Sequence, residues 1–294
     1  MTFVAIMSAI VVIVSLITSF VPFAGAAFGI VVPAIGTLVA LFAKPKFSLV
    51  FVALSIMLSC VVSLYAIQNT LFFILPPVLA GLVFGLLLKG KIGSSFAILI
   101  SALTQAILNI CIYYIINLIY EINIIKMLLD LINLSNHEHI EIILGLGILL
   151  FSLIHFVLSF LIIFPRIEYF IPPEKSKKRT TFAHLLTCCL SPIWMIVSVF
   201  TIPVFSYVFL GISIFSGCFI IYEIALEKKV WKWIYMILIG LITFAFFVAI
   251  TPHVEWIPYT LLIIAVIPFM LPFTYIDSRT TIFAKNVSTI TMSN

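Results

Sequence analysis

Residues 4–20 read VAIMSAIVVIVSLITSF, an unbroken apolar run without a single charge, and runs of this kind recur along the whole chain. About 20 apolar residues of helix cross the ~30 Å hydrocarbon core of a bilayer. Inside that core every backbone N–H and C=O needs a protein partner, which leaves helices and closed barrels as the available solutions. Barrel strands alternate apolar and polar positions over about 10 residues, and these runs do not alternate. Of the 294 residues, 64% are hydrophobic and 9% charged, against about 25% charged in a soluble domain. The chain therefore reads as all-α, a polytopic transmembrane helical bundle in the plasma (inner) membrane.

Ten runs are long enough to mark as spans: 3–20, 28–43, 48–67, 71–88, 95–120, 141–164, 182–203, 206–226, 231–250 and 257–276. The second and fourth are short and contain proline, so they read as tilted, broken or re-entrant. Lys and Arg collect in cytoplasmic loops, and fourteen of the 15 bases fall in alternate connections if the N-terminus is cytoplasmic; Lys126 is the exception. This predicts ten spans with both termini inside. The first twenty residues resemble a signal peptide, but Met1-Thr2-Phe3 supplies no positive n-region, so the segment is read as a retained first helix. The resulting organisation is a six-span region at 1–165, a basic cytoplasmic loop at 166–181, a four-span region at 182–276 and a cytoplasmic tail at 277–294. Between the fifth and sixth spans, Asn123, Lys126, Asp130 and Asn133 recur at helical spacing among Ile and Leu. That pattern predicts a helix lying in the outer interface over 121–135.

The net charge of +5 comes from short basic clusters between spans, so the partner it implies is the bilayer and not nucleic acid. The five cysteines lie in apolar segments without CxxC spacing and read as packed thiols. No enzyme signature such as GxSxG occurs and no closely spaced pair of intramembrane carboxylates is present, so a non-catalytic protein without a cofactor is expected. The NHEHIE run offers His137 and His139, which His253 could join as weak zinc candidates. The run is not HExxH, because Glu141 stands where the second histidine is needed.

The polar residues inside spans are more informative. Ser101, Gln105, Asn109, Tyr113 and Asn117 follow one another at four-residue steps in the fifth span, which places them on one slowly winding helix face. The sixth span carries Ser152, His155 and Ser159. A rise of about 1.5 Å per residue puts His155 between the levels of Gln105 and Asn109 if the two helices run in opposite directions. Such groups either bridge helices or line a polar cavity for a small molecule, and a histidine at mid-depth favours the cavity. The expected substrate-binding set is Gln105, Asn109, Tyr113, Ser152 and His155.

Three stretches of the first six spans carry a resemblance: the AIMSA run from Ala5 to Ala9, then VPFAGAAFGIVVPAIGTLVALFAKPK, then FFILPPVLAGLVFGLLLKGK. Over residues 1–165 the chain resembles the substrate-binding S components of energy-coupling-factor vitamin transporters, and also the YybS-like membrane proteins. The resemblance implies that Ala5 and Ala9 let the first helix pack on a membrane coupling subunit. S components usually have six spans, and this chain has four more. Two further readings stand beside it: a self-contained ten-span carrier, with Pro33 and Pro192 in corresponding second and seventh spans, and a membrane scaffold that assembles with an envelope protein.

Overall fold

The computed structural model describes residues 1–20, 30–90, 92–121, 140–167, 175–226, 234, 237–243, 245 and 264–272. The described residues are helical and contain no strand. The helices are α1 (Thr2–Phe20), α2 (Val31–Phe42), α3 (Pro45–Val62), α4 (Ile67–Phe73), α5 (Leu75–Lys89), α6 (Ser94–Tyr120), α7 (Ile140–Ile167), α8 (Lys175–Thr201) and α9 (Pro203–Leu226). Seven segments are long and apolar enough to cross a membrane, among them Thr70–Lys89, which joins the end of α4 to α5. The chain is thus an all-α membrane protein. The ninth and tenth expected spans fall largely outside the described residues; the expected interfacial helix beyond Glu121 and the tail at 277–294 lie outside them entirely.

Two compact units divide the chain. The first holds α1 to α6, most of α7 and the chain up to Thr180; the second holds Glu141–Ile143 and everything from Thr181. Within the range of the expected basic loop at 166–181, α7 runs to Ile167 and α8 starts at Lys175. Lys and Arg are good helix formers, so the basic run continues the helix beyond the apolar span.

In the first unit, α2 and α5 lie closer together than side chains would allow. A Cβ built on Gly36 would stand 2.9 Å from the Val78 carbonyl oxygen, and one on Gly81 would stand 2.8 Å from Pro33 Cα. Glycine lets the two backbones touch, and Thr37 Oγ1 uses that closeness to donate to the Pro33 carbonyl at 2.7 Å and to the Gly81 carbonyl at 3.1 Å. Small residues and cross-helix hydroxyls are the usual means of packing where lipid supplies no hydrophobic drive. The pairing is parallel, because Pro33 meets Gly81 and Ala40 meets Gly85. Around it, Val4, Val11 and Val14 of α1, Val32, Ile35 and Val39 of α2, Phe51 of α3 and Val78 of α5 form one apolar cluster.

The prolines sit where they cost little. Pro76 and Pro77 open α5, and Pro45 opens α3. Pro33 is third in α2, and in a first turn the missing N–H had no intrahelical partner anyway. Pro192 lies inside a long helix, α8. Ring contacts mark the two ends of α1: Phe3 lies 6.5 Å from Phe42 at the end of α2, and Phe20 lies 5.7 Å from Tyr65 just beyond α3.

Candidate functional site

α6 carries no charged residue over its 27 positions. Its outward face exposes Tyr114, Ile115, Leu118 and Ile119, while Ser101, Gln105, Asn109 and Tyr113 point inward and are buried. The four-residue spacing produces this division directly, since steps of about 400° return each side chain near the previous one. Asn117, at the outer end of the stripe, is only half-buried.

The structure brings Gln105 and His155 together. Gln105 Nε2 lies 3.2 Å from His155 Nδ1, and both side chains are buried. With the carboxamide nitrogen facing the imidazole, Gln105 donates, because that nitrogen has no acceptor lone pair. In that arrangement Nδ1 accepts. The Phe151 ring, one turn earlier, lies 4.0 Å from the His155 ring, centroid to centroid. Glutamine and phenylalanine together fix the ring's orientation.

The other expected residues are used differently. Ser152 Oγ donates to the Ile148 carbonyl of its own helix at 2.8 Å. Ser159 Oγ instead reaches the Ile30 carbonyl at the start of α2, at 2.7 Å. Tyr113 packs with Phe72, Ile112 and Ile116 in an apolar cluster, higher on α6 than the histidine.

Three oxygens on the buried face of α6 have no hydrogen-bond partner: Ser101 Oγ, Gln105 Oε1 and Asn109 Oδ1. Orphaned hydroxyls occur elsewhere, at Ser8, Ser55, Ser59 and Ser213. A helical hydroxyl can rotate toward the carbonyl four residues back, as Thr37, Thr104 and Ser152 do. A carboxamide oxygen cannot donate, so it needs an external donor. An unsatisfied buried acceptor costs about 1–3 kcal/mol, and Gln105 and Asn109 present two on adjacent turns of one face. No charged residue lies in α6 or in the apolar part of α7, Leu144–Ile163.

A second buried histidine was not among the expected site residues. His184 of α8 lies with Nδ1 3.3 Å from Ser216 Oγ of α9 and stacks on Phe219, ring centroids 4.2 Å apart. Its signal was present in the sequence as His184, Thr187 and Ser191, three and four residues apart. The zinc candidates His137, His139 and His253 lie outside the described residues. Among the described residues no group of three or more metal-ligating side chains is assembled. No family model, curated protein or solved structure matches the chain.

Proposed function

We propose that this membrane protein binds and transports a small molecule at a polar site between α6 and α7. Gln105 and Asn109 supply the binding groups, and His155 is the oriented ring beside them. One observation carries the reading: Gln105 Oε1 and Asn109 Oδ1 are buried without partners on one helix face. Helix–helix adhesion alone would have paired them, since side chains that bridge membrane helices do so by meeting each other's hydrogen-bonding groups. In this reading the protein spans the plasma membrane ten times with both termini in the cytoplasm, and it performs no catalysis. The test is native mass spectrometry of the protein released from its own membranes. A bound small molecule that is lost in Asn109→Leu and in His155→Leu, both still folded, is the expected result. Unliganded wild-type protein, or retention unchanged in both variants, overturns the proposal.

A second reading is favoured by α1, whose Ala5 and Ala9 are exposed in company with Ile6 and Ile13. Two small residues one turn apart admit a neighbouring helix at close range, which suits a membrane coupling subunit or another assembly partner. Loss of a co-purifying membrane protein on Ala5→Leu would favour it; co-purification with nothing, in wild type and variant alike, would remove it.

A further inference from the structure

If α6 and α7 bind a solute, as proposed for them, the chemistry of their unpaired groups specifies that solute more narrowly. We infer that the site between α6 and α7 takes a neutral solute bearing at least two N–H or O–H donors, of the carboxamide or hydroxy-amide class, and rejects carboxylates.

Gln105 Oε1 and Asn109 Oδ1 can only accept, and both lack a donor. They sit one helical turn apart, about 6 Å along the axis. Three nearby donors are directed elsewhere. Gln105 Nε2 is directed at His155 Nδ1, Ser152 Oγ donates within α7 and Ser159 Oγ donates to Ile30. The Ser101 hydroxyl and the Asn109 carboxamide N–H groups stand on the same face as the two acceptors, and none of these groups carries a charge. A carboxylate or phosphate brought there would meet no base to neutralise it, because neither α6 nor Leu144–Ile163 contains one. An ammonium would be bonded but not neutralised, since no Asp or Glu lies in these segments either. Taking an unpaired charge out of water costs far more than a neutral hydrogen-bonding group does. A neutral donor satisfies both oxygens without that penalty. An aromatic or flat solute would also find the Phe151–His155 pair, whose rings lie 4.0 Å apart.

Three probes on one para-substituted benzene frame separate these possibilities: 4-hydroxybenzamide, with donors at both ends; 4-hydroxybenzoate, its anionic counterpart of nearly equal shape; and 4-methoxy-N,N-dimethylbenzamide, larger by three methyl groups, which has no donor. Binding is measured on the full-length protein in detergent by microscale thermophoresis, with the melting midpoint recorded alongside. 4-Hydroxybenzamide is expected to bind at least about tenfold more tightly than either of the others, one neutral hydrogen bond being worth roughly that factor. Asn109→Leu is expected to abolish the preference while melting at or above the wild-type temperature, because it removes an orphaned acceptor. Equal or tighter binding of 4-hydroxybenzoate, or no binding of 4-hydroxybenzamide, overturns the inference. The two proposals fail separately. A natural ligand retained by wild type and lost in Asn109→Leu leaves the site standing even where the benzamide fails, whereas absence of both removes the site and its chemistry together.

Discussion

A serine in a membrane helix can donate to its own backbone, but a carboxamide one turn further along has no such recourse. This difference governs the α6–α7 face. Ser152 is satisfied within α7, whereas Gln105 is satisfied on one side only, by His155. Gln105→Leu would leave Nδ1 without its donor and is expected to destabilise the fold by about 1–3 kcal/mol. His155→Leu strands the glutamine amide in the same way. The double variant removes both polar ends, so its loss should fall short of the sum. The coupling expected is about 0.6 kcal/mol and at most ~1.7 kcal/mol, the range such pairs show in membranes. A double-mutant cycle of SDS-induced unfolding measures it, and zero coupling would mean that the Gln105–His155 bond contributes nothing. The stripe on α6 was legible in the sequence because a four-residue spacing survives in any helix. Which oxygen finds a partner was not, because Ser159 reaches across to Ile30, 129 residues away in the chain, and spacing within one helix carries no information about that. His184 was overlooked for the same reason, its partner Ser216 lying on the next helix.

Helices as elements were read from apolar run length, and α1 to α9 fall at eight of the expected runs, although α2, with 12 residues, is not among the seven segments long enough to cross. The breaks were harder to place. A proline signals that a helix starts or bends, and the structure resolves the ambiguity toward starts for Pro33, Pro45, Pro76 and Pro77. Glycines gave no hint of rank from sequence, yet they divide sharply in space. Gly81→Ala would drive a methyl group to within 2.8 Å of Pro33 Cα, backbone that cannot yield without separating α2 from α5. A loss of about 1–3 kcal/mol is expected, as for overpacked cores. Gly147, on α7, has nothing within 4 Å of an added Cβ. There the same substitution gains helix propensity, roughly 0.5–1 kcal/mol, so Gly147→Ala should be neutral or stabilising. Thermal melting of the two variants side by side checks this. If Gly81→Ala melted no lower than Gly147→Ala, the tight α2–α5 crossing would be wrong.

At the scale of the whole molecule, charge and packing bear on the same question of sidedness. The bases at Lys44 and Lys46 follow α2, Lys89 ends α5, and Lys175 to Arg179 open α8. The proposed topology has all of these in the cytoplasm by the positive-inside bias, but that bias does not locate Met1, because the first residues carry no side-chain charge to vote with. If α2, whose 12 residues rise only about 18 Å, failed to complete a crossing with the chain before it, the bases would stay inside while the N-terminus lay outside. Packing within the first unit argues against that arrangement. Phe3 sits beside Phe42, next to Lys44, while Phe20 at the far end of α1 sits beside Tyr65. Met1 and Lys44 thus share one end of the helices, the end that the proposed topology puts in the cytoplasm. Thr2→Cys, in a variant without the five native cysteines, should therefore resist a membrane-impermeant maleimide in intact cells and react once the cells are permeabilised. A cysteine in place of Tyr65, exposed at the opposite end, should react in intact cells. Labelling of Thr2→Cys from outside would place α1 in the reverse direction and reduce the number of crossings before Lys44 to one.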